Sequence, residues 1–263
     1  MSLTERQIWE LSEALMNAQE TATPITNVVD QYPDVTIAEA YAIHKRTFDT
    51  RIKNGDTVIG RKIGLSAKTM QEMFNTDSPV YGNLFASMLV LEGEPIALKG
   101  LCKPMLEGET AFVLKNDLRG PGATPAKVMA SIAGVMPAFE IADTRGKEKP
   151  KAVQDLIADS CGAAKVMLGG QITPIDGIDF RHIGVVLEKD GEVIATGATA
   201  AVLGNPIHSV VNLVNKLAEF DIGLSAGEFV IPGTPHAAVP VEAGSCYRAT
   251  FDRIGYVSAR FVS

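Results

Sequence analysis

In Met105-Leu-Glu-Gly-Glu-Thr-Ala-Phe-Val-Leu114 the alternation of a β-strand puts Glu107, Glu109, Ala111 and Val113 on one face. Leu106, Gly108, Thr110, Phe112 and Leu114 take the other. Two carboxylates then project side by side, and Gly108 between them leaves room for close approach. Like charges held together repel, and in a buried setting they demand a cation or a shared proton. A third acid, Glu140, stands in the apolar run Val135-Met-Pro-Ala-Phe-Glu-Ile-Ala142. Three carboxylates without a neighbouring His or Cys make a hard oxygen site, suited to Mg²⁺ or Mn²⁺ rather than zinc. The plainer alternative is that Glu107 and Glu109 line the solvent face of an antiparallel strand and Glu140 pairs with an arginine.

Lys62 lies in Val58-Ile-Gly-Arg-Lys-Ile-Gly-Leu-Ser66, flanked by apolar residues, with Gly60 and Gly64 permitting close backbone approach. A desolvated lysine there can act on an anionic substrate or move a proton, whereas the bland alternative is a solvated strand lysine. Arg61 faces the other way and reads as structural. The four histidines, His44, His182, His208 and His236, show no metal-ligand spacing, and the chain has no Ser elbow, P-loop or G-x-G-x-x-G fingerprint. His44 falls within a helix, where packing or surface roles are favoured. His236 falls in the loop Ile231-Pro-Gly-Thr-Pro-His-Ala237, where backbone groups can meet a ligand.

The elements that must position these residues follow from periodicity. Apolar spacing predicts amphipathic helices over 3–20 and 36–53, the second opened by the Thr36/Glu39 capping box and closed by Asn54-Gly55. Helical periodicity returns at 125–134 and at 206–220, where Pro206 suits the first turn. Short apolar runs at 57–65, 88–91, 105–115, 135–142, 183–188, 192–202, 228–231, 245–251 and 256–262 read as strands. Asp190-Gly191 and Asp252-Arg-Ile-Gly255 read as hairpin turns. The fold class is therefore α+β, with a helical N-terminal portion, 1–55, packed on a mixed β-rich catalytic domain, 56–263. The charged stretch Arg145-Gly-Lys-Glu-Lys-Pro-Lys151 reads as a mobile surface loop.

With 24 Lys and Arg against 31 Asp and Glu, the chain carries a net charge of −7 and no basic stripe, so nucleic acid is excluded as a partner. No run approaches the roughly 18 apolar residues of a membrane span. Glu5 and Glu10 interrupt an N-terminus that lacks the apolar run of a secretory signal. The three cysteines, Cys102, Cys161 and Cys246, are widely spaced and form no C-x-x-C pair, which argues against a disulfide framework and fits a cytoplasmic setting.

Five motifs in order, Gly60-Arg-Lys-Ile-Gly-Leu-Ser66, Asp77-Ser-Pro-Val-Tyr-Gly82, Leu106 to Leu114, Pro137-Ala-Phe-Glu140 with Asp143-Thr-Arg145, and Gly191 to Pro206, resemble the fumarylacetoacetate hydrolase superfamily. Within it the chain looks like the branch of 2-oxopent-4-enoate hydratases and 4-oxalocrotonate decarboxylases of catechol meta-cleavage pathways, from about Thr21 to Phe261. The resemblance implies a β-roll or barrel of the family's C-terminal type. It implies Glu107, Glu109 and Glu140 as ligands of Mg²⁺ or Mn²⁺, and Lys62 as the active-site lysine. Substrate contacts are implied at Ser66, Tyr81, Asp159, Ser160, Gly233 and Thr234, and the substrate is a small 2-oxo acid or dicarboxylate. A homo-oligomer, associated in some family members with a paralogous hydratase, is also implied.

The same resemblance separates two reactions. Hydratases of the branch typically carry an Asp where Pro79-Val80-Tyr81-Gly82 has valine, and valine cannot move a proton. The expectation is therefore decarboxylation of 2-oxohex-3-enedioate to 2-hydroxypenta-2,4-dienoate. The alternatives are hydration of the dienoate or a related 2-oxo-enoate, and a weakly active metal-binding partner subunit. Three segments depart from the family. Ala158-Asp-Ser-Cys-Gly162 replaces Ala-Asp-Asn-Ala-Ser, Lys147 to Lys151 replaces a loop with aromatics, and Pro232-Gly-Thr-Pro-His236 brings an unexpected Pro-His pair.

Overall fold

Thr4 and Thr36 each open a helix with a reciprocal capping box, paired with Gln7 and Glu39 respectively. In the computed structural model, which describes residues 2–263, these helices are α1 (Glu5–Thr21) and α3 (Ile37–Lys53), with the short α2 (Val28–Gln31) between them. Glu39 does more than cap, because its carboxylate also accepts from the Leu3 backbone N–H and the Ser2 hydroxyl and so ties the entry of α1 to the entry of α3. Replacing Thr36 by alanine removes one arm of the box, and urea denaturation is expected to show a loss of about 1 kcal/mol.

The remaining helices are α4 (Lys68–Met73), α5 (Pro125–Ser131), α6 (Val153–Ala158) and α7 (Pro206–Ala218), and α7 begins with Pro206 behind an Asn205 cap, as its sequence requires. One sheet contains β1 (Val58–Gly64), β2 (Val80–Phe85), β4 (Met105–Leu114), β5 (Ile132–Ala142), β6 (Ala163–Leu168), β9 (Phe229–Ile231) and β10 (Val239–Pro240). Its order is β2-β1-β9-β4-β5-β6, with β10 paired to β4. Only the β1–β9 pairing is parallel. The sheet curls until the chain leaving β2 meets β6 through a Leu89–Val166 bridge. A second sheet, β3 (Ile96–Ala97), β7 (Gly184–Lys189), β8 (Glu192–Ala198), β11 (Cys246–Phe251) and β12 (Gly255–Val262), has the order β3-β12-β11-β7-β8 and packs against β5. The mixed helix-and-curled-sheet architecture is the α+β arrangement expected.

Two cores result from the pleat of β4 and β5. Leu106, Phe112, Phe139 and Ile141 face outward into the large core shared with the second sheet. Ala111 and Ala138 face inward with Leu84, Val166, Phe229 and Ile231, filling the concave side of the curl. Small side chains suit that tightly curved interior.

Several elements differ from the sequence reading. Residues 88–91 form a turn with one bridge rather than a strand, and the helix predicted over 125–134 stops at Ser131 because Ile132 already pairs with Leu114. Strand β8 ends at Ala198, where a helical turn begins. The stretch Arg145–Lys151 is pinned rather than free. The Ile25 N–H donates to Arg145 O and the Lys147 N–H to Ile25 O, and the Arg145 side chain is buried. Both hairpin turns form where Asp190-Gly191 and Asp252–Gly255 place them, with Asp190 and Gly191 both at positive φ.

Candidate active site

Register brings the acids together. Glu107 of β4 lies directly opposite Glu140 of β5, and Glu109 follows on the same face of β4. Carboxylate oxygens of all three lie within 4.8 Å of one another. Glu109 and Glu140 are 1% and 0% exposed, which rules out a solvent-facing strand, while Glu107 is half-buried. Burial and the charges of Glu140 and Glu107 push the Glu109 carboxyl well above its ordinary range. Burial likewise pushes Glu140 up, to about 7, against the pull of Lys62.

Lys62 projects from β1 into the same space. Its Nζ lies 3.0 Å from Glu140 Oε1 and donates to the Cys161 carbonyl at 3.0 Å, with Cys161 Sγ at 3.6 Å. Burial works against its charge, but the acidic groups Cys161, Glu140, Glu107 and Glu109 outweigh it and hold the ammonium well above the usual lysine value. The partner of Glu140 is thus a lysine, not an arginine. Arg61, on the opposite face, packs its guanidinium over Phe48 with Nη1 3.7 Å from Glu228 Oε2.

The contact with Lys62 is an ion pair whose direction leaves both Glu140 oxygens buried without a hydrogen-bond partner among the described residues. Orphaned carboxylate oxygens facing two further acids fit a hard divalent cation coordinated by Glu107, Glu109 and Glu140.

The loop after β9 closes this side. The Gly233 N–H donates to Glu109 Oε2 at 2.6 Å, and Gly233 has φ 123°, a conformation that favours glycine. A Cβ there would also overlap Ser66 Oγ, so Ser66 lies against the loop beside Glu109. Between its pairings with β9 and β10, β4 offers Gly108 without a strand partner on that edge. Thr234 Oγ1 donates to Gly108 O at 3.2 Å, and the Gly108 N–H reaches His236 Nε2 at 3.3 Å. His236 therefore meets the backbone between the two acids. Gly108 admits the imidazole because a Cβ would stand 3.0 Å from Nε2.

Tyr81 does not join this group. Lys62 pairs with Gly82, so Tyr81 points to the other face of β2. There it stacks on Tyr41 at 5.6 Å between ring centroids, meets the tilted His44 ring at 5.2 Å, and borders a cleft of about 230 Å³ that also includes Asn212 and Lys216. Asp159 and Ser160 stand behind Lys62 rather than in open space. Asp159 Oδ1 accepts from Arg145 Nε at 2.6 Å, and Ser160 Oγ accepts from the Asn83 N–H at 3.1 Å.

Sequence reasoning missed His44, Asn83, Cys161 and Arg145 as parts of the site's support. Only the Asp143-Thr-Arg145 motif signalled one of them. His44 is buried, with Nε2 2.7 Å from Asn83 Nδ2 and 3.3 Å from Ser160 Oγ. Burial, helped by the Arg61 charge, lowers its pKa from 6.5 to about 4. The unfolded chain therefore binds the extra proton first, and stability present above about pH 6.5 is lost as pH falls toward 4. This one group is worth about 3 kcal/mol over that window. Urea titrations at pH 7 and pH 4.5 are expected to show a shallower acid loss for His44→Gln than for the parent chain.

Residues 35–262 match the family model for the fumarylacetoacetate (FAA) hydrolase C-terminal domain. The chain belongs to the fumarylacetoacetate hydrolase family. It is 35% identical over 261 residues to 4-oxalocrotonate decarboxylase from Pseudomonas sp. (strain CF600), covering 99% of each chain. It is 36% identical over 259 residues to 2-hydroxyhexa-2,4-dienoate hydratase from Comamonas testosteroni, covering 98% of this chain and 97% of that one. The solved structure of 4-oxalocrotonate decarboxylase from Pseudomonas putida G7, complexed with magnesium and adipate, superposes with a TM-score of 0.95 at 34% identity over 99% of both chains. The family fold thus extends over the curled sheet, the second sheet and the helices together. No helix among the described residues is long and apolar enough to cross a membrane.

Proposed function

We propose that this chain is a divalent-metal-dependent carbon–carbon lyase that decarboxylates 2-oxohex-3-enedioate to 2-hydroxypenta-2,4-dienoate. The observation that carries the reading is the buried triad of Glu107, Glu109 and Glu140 with Lys62 against Glu140. The names of the relatives support the class of substrate, and the magnesium and adipate held by the solved relative support a divalent cation and a six-carbon dicarboxylate. Mg²⁺ or Mn²⁺ is the cation expected from the all-oxygen ligand set.

When bound, the cation supplies Lewis-acid stabilisation of negative charge on the 2-oxo oxygen. The carbon–carbon bond to the distal carboxylate breaks, CO₂ leaves, and the electron pair moves through the conjugated alkene to that oxygen, which then takes a proton. Lys62 holds the substrate's anionic end with the donor capacity that Glu140 and Cys161 leave free. The apolar interior formed by Ala111, Ala138, Val166 and Ile231 excludes water beneath the acids and strengthens these charge interactions. Val80 supports decarboxylation over hydration. Its side chain shares a face with Gly82 and Lys62, beside Gly64, and has no proton to give or take.

Parallel assays on 2-oxohex-3-enedioate and 2-hydroxypenta-2,4-dienoate with Mg²⁺ or Mn²⁺ test this, following CO₂ release and loss of dienol absorbance. CO₂ release from the first substrate, abolished in Glu109→Gln, is the expected result. Consumption of only the second makes the chain a hydratase that works without the Asp, and silence on both overturns the enzymatic reading.

A further inference from the structure

We infer that Arg145 and Asp159 are positioning residues for Lys62, acting through a single left-handed turn, rather than contacts to substrate. The inference deepens the proposed function and rests on Lys62 being catalytic.

Ser160, Cys161 and Gly162 all have positive φ, at 50°, 54° and 70°. Three successive left-handed residues, two of them with side chains, persist only where the surroundings enforce them. Arg145 supplies much of that enforcement by gripping both ends of the turn. Its Nη2 donates to Asp159 O at 2.6 Å before the turn, and its Nη1 donates to Ala163 O at 3.1 Å after it. The Asp159 carboxylate is consumed in the same clamp, with Oδ1 taking Arg145 Nε and Oδ2 taking the Arg145 N–H at 2.8 Å. Ser160 Oγ, held by the Asn83 N–H, fixes the turn to the edge of β2.

The product of this geometry is the direction of one carbonyl. Cys161 O meets Lys62 Nζ at 3.0 Å and supplies the acceptor that balances Glu140. Two glycines make space for it. A Cβ at Gly64 would overlap Cys161 Sγ, and one at Gly82 would overlap Ser160 O. Gly82 lies opposite Lys62 in register, so the turn is pressed onto the strand pair that carries the lysine. Asp159 is buried and both its carboxylate oxygens accept from Arg145, so its charge is directed into the clamp rather than toward a ligand. Once the clamp is loosened, the left-handed residues relax, the Cys161 carbonyl swings away and Lys62 loses the acceptor that holds it buried beside Glu140.

The test compares Arg145→Lys, which keeps the charge and loses the fork, with Ser160→Ala as a milder variant should the first not fold. Kinetics should show kcat down at least ~tenfold with KM within about threefold. In a Lys62→Met background Arg145→Lys should change the residual kcat by less than about twofold, because its effect passes through the lysine. A second readout needs no turnover. Mass-spectrometric labelling with an amine-reactive reagent should find Lys62 protected in the parent chain and labelled at least ~fivefold faster in Arg145→Lys, with Lys115 and Lys165 unchanged.

A rise in KM with kcat intact, additive losses in the double variant, or unaltered Lys62 labelling in a folded variant each overturn the assignment. If no 2-oxo acid is turned over, the proposed function fails while the labelling still decides the role of the clamp.

Discussion

Replacing Glu109 by glutamine is expected to abolish divalent-cation binding and to lower turnover on the order of 10³-fold, while making the metal-free protein more stable. The two effects have one origin. Without a cation, the acids face one another with Lys62 as the positive group among them in the described residues, and Glu109 is held well above its ordinary pKa by burial and by Glu140 and Glu107. A carboxyl whose pKa is raised on folding works against the native state once pH exceeds its unfolded value. Glutamine removes that repulsion but keeps the shape and can still accept from the Gly233 N–H. Thermal denaturation with and without Mn²⁺ checks both signs. The parent should gain about 2.7 kcal/mol at a hundredfold excess over the dissociation constant, and the variant should gain nothing. A variant less stable than the parent without metal would show that the repulsion is not there.

Lys62→Met should separate chemistry from metal binding in the opposite sense. Lys62 Nζ occupies one oxygen of Glu140, so the ammonium competes with a cation for that carboxylate. Its removal is expected to reduce kcat about 10²- to 10³-fold, with Mn²⁺ affinity by calorimetry unchanged or tighter. The metal-free variant should also be less stable, since Glu140 then stands buried with no compensating charge. Weaker Mn²⁺ binding would place the lysine's role in holding the ligands rather than in the reaction.

The parts of the site legible in the sequence were those carried by short-range rules. The period of two placed Glu107 and Glu109 together, and it separated Lys62 from Arg61 without knowledge of any neighbouring strand. What the period could not supply was which strands lie side by side. The pairing of Glu107 with Glu140 and the reach of Lys62 to Cys161 join segments far apart in the chain.

Four strands escaped notice: the two-residue β3 and β10 are too short to carry a period, and β2 and β6 were hidden for local reasons. In β2 the central Gly82-Asn83 reads as a turn, and in β6 Ala-Ala-Lys-Val-Met-Leu favours a helix, so only pairing to β1 and β5 makes them strands. The charge of Lys147, Glu148, Lys149 and Lys151 disguised Arg145 as the start of a solvated loop, because a buried guanidinium is recognisable only by the carbonyls that receive it. Tyr81 sat in a recognisable motif, yet the same alternation that places Gly82 beside Lys62 turns the tyrosine away.

The parallel pairing of β1 with β9 sets Lys62 beside Ile231, and the Gly233 N–H that holds Glu109 follows two residues later. A growing chain thus has Lys62, Glu107, Glu109 and Glu140 long before it has the strand that seats them. Contacts between such distant segments form slowly, since the intervening loop must close before they are rewarded. Until β9 docks between β1 and β4, the Gly233 N–H that holds Glu109 is not in place. The acidic cluster is therefore expected to assemble late in folding, so that Mn²⁺ binding followed during refolding should track completion of the whole molecule rather than assembly of any one hairpin.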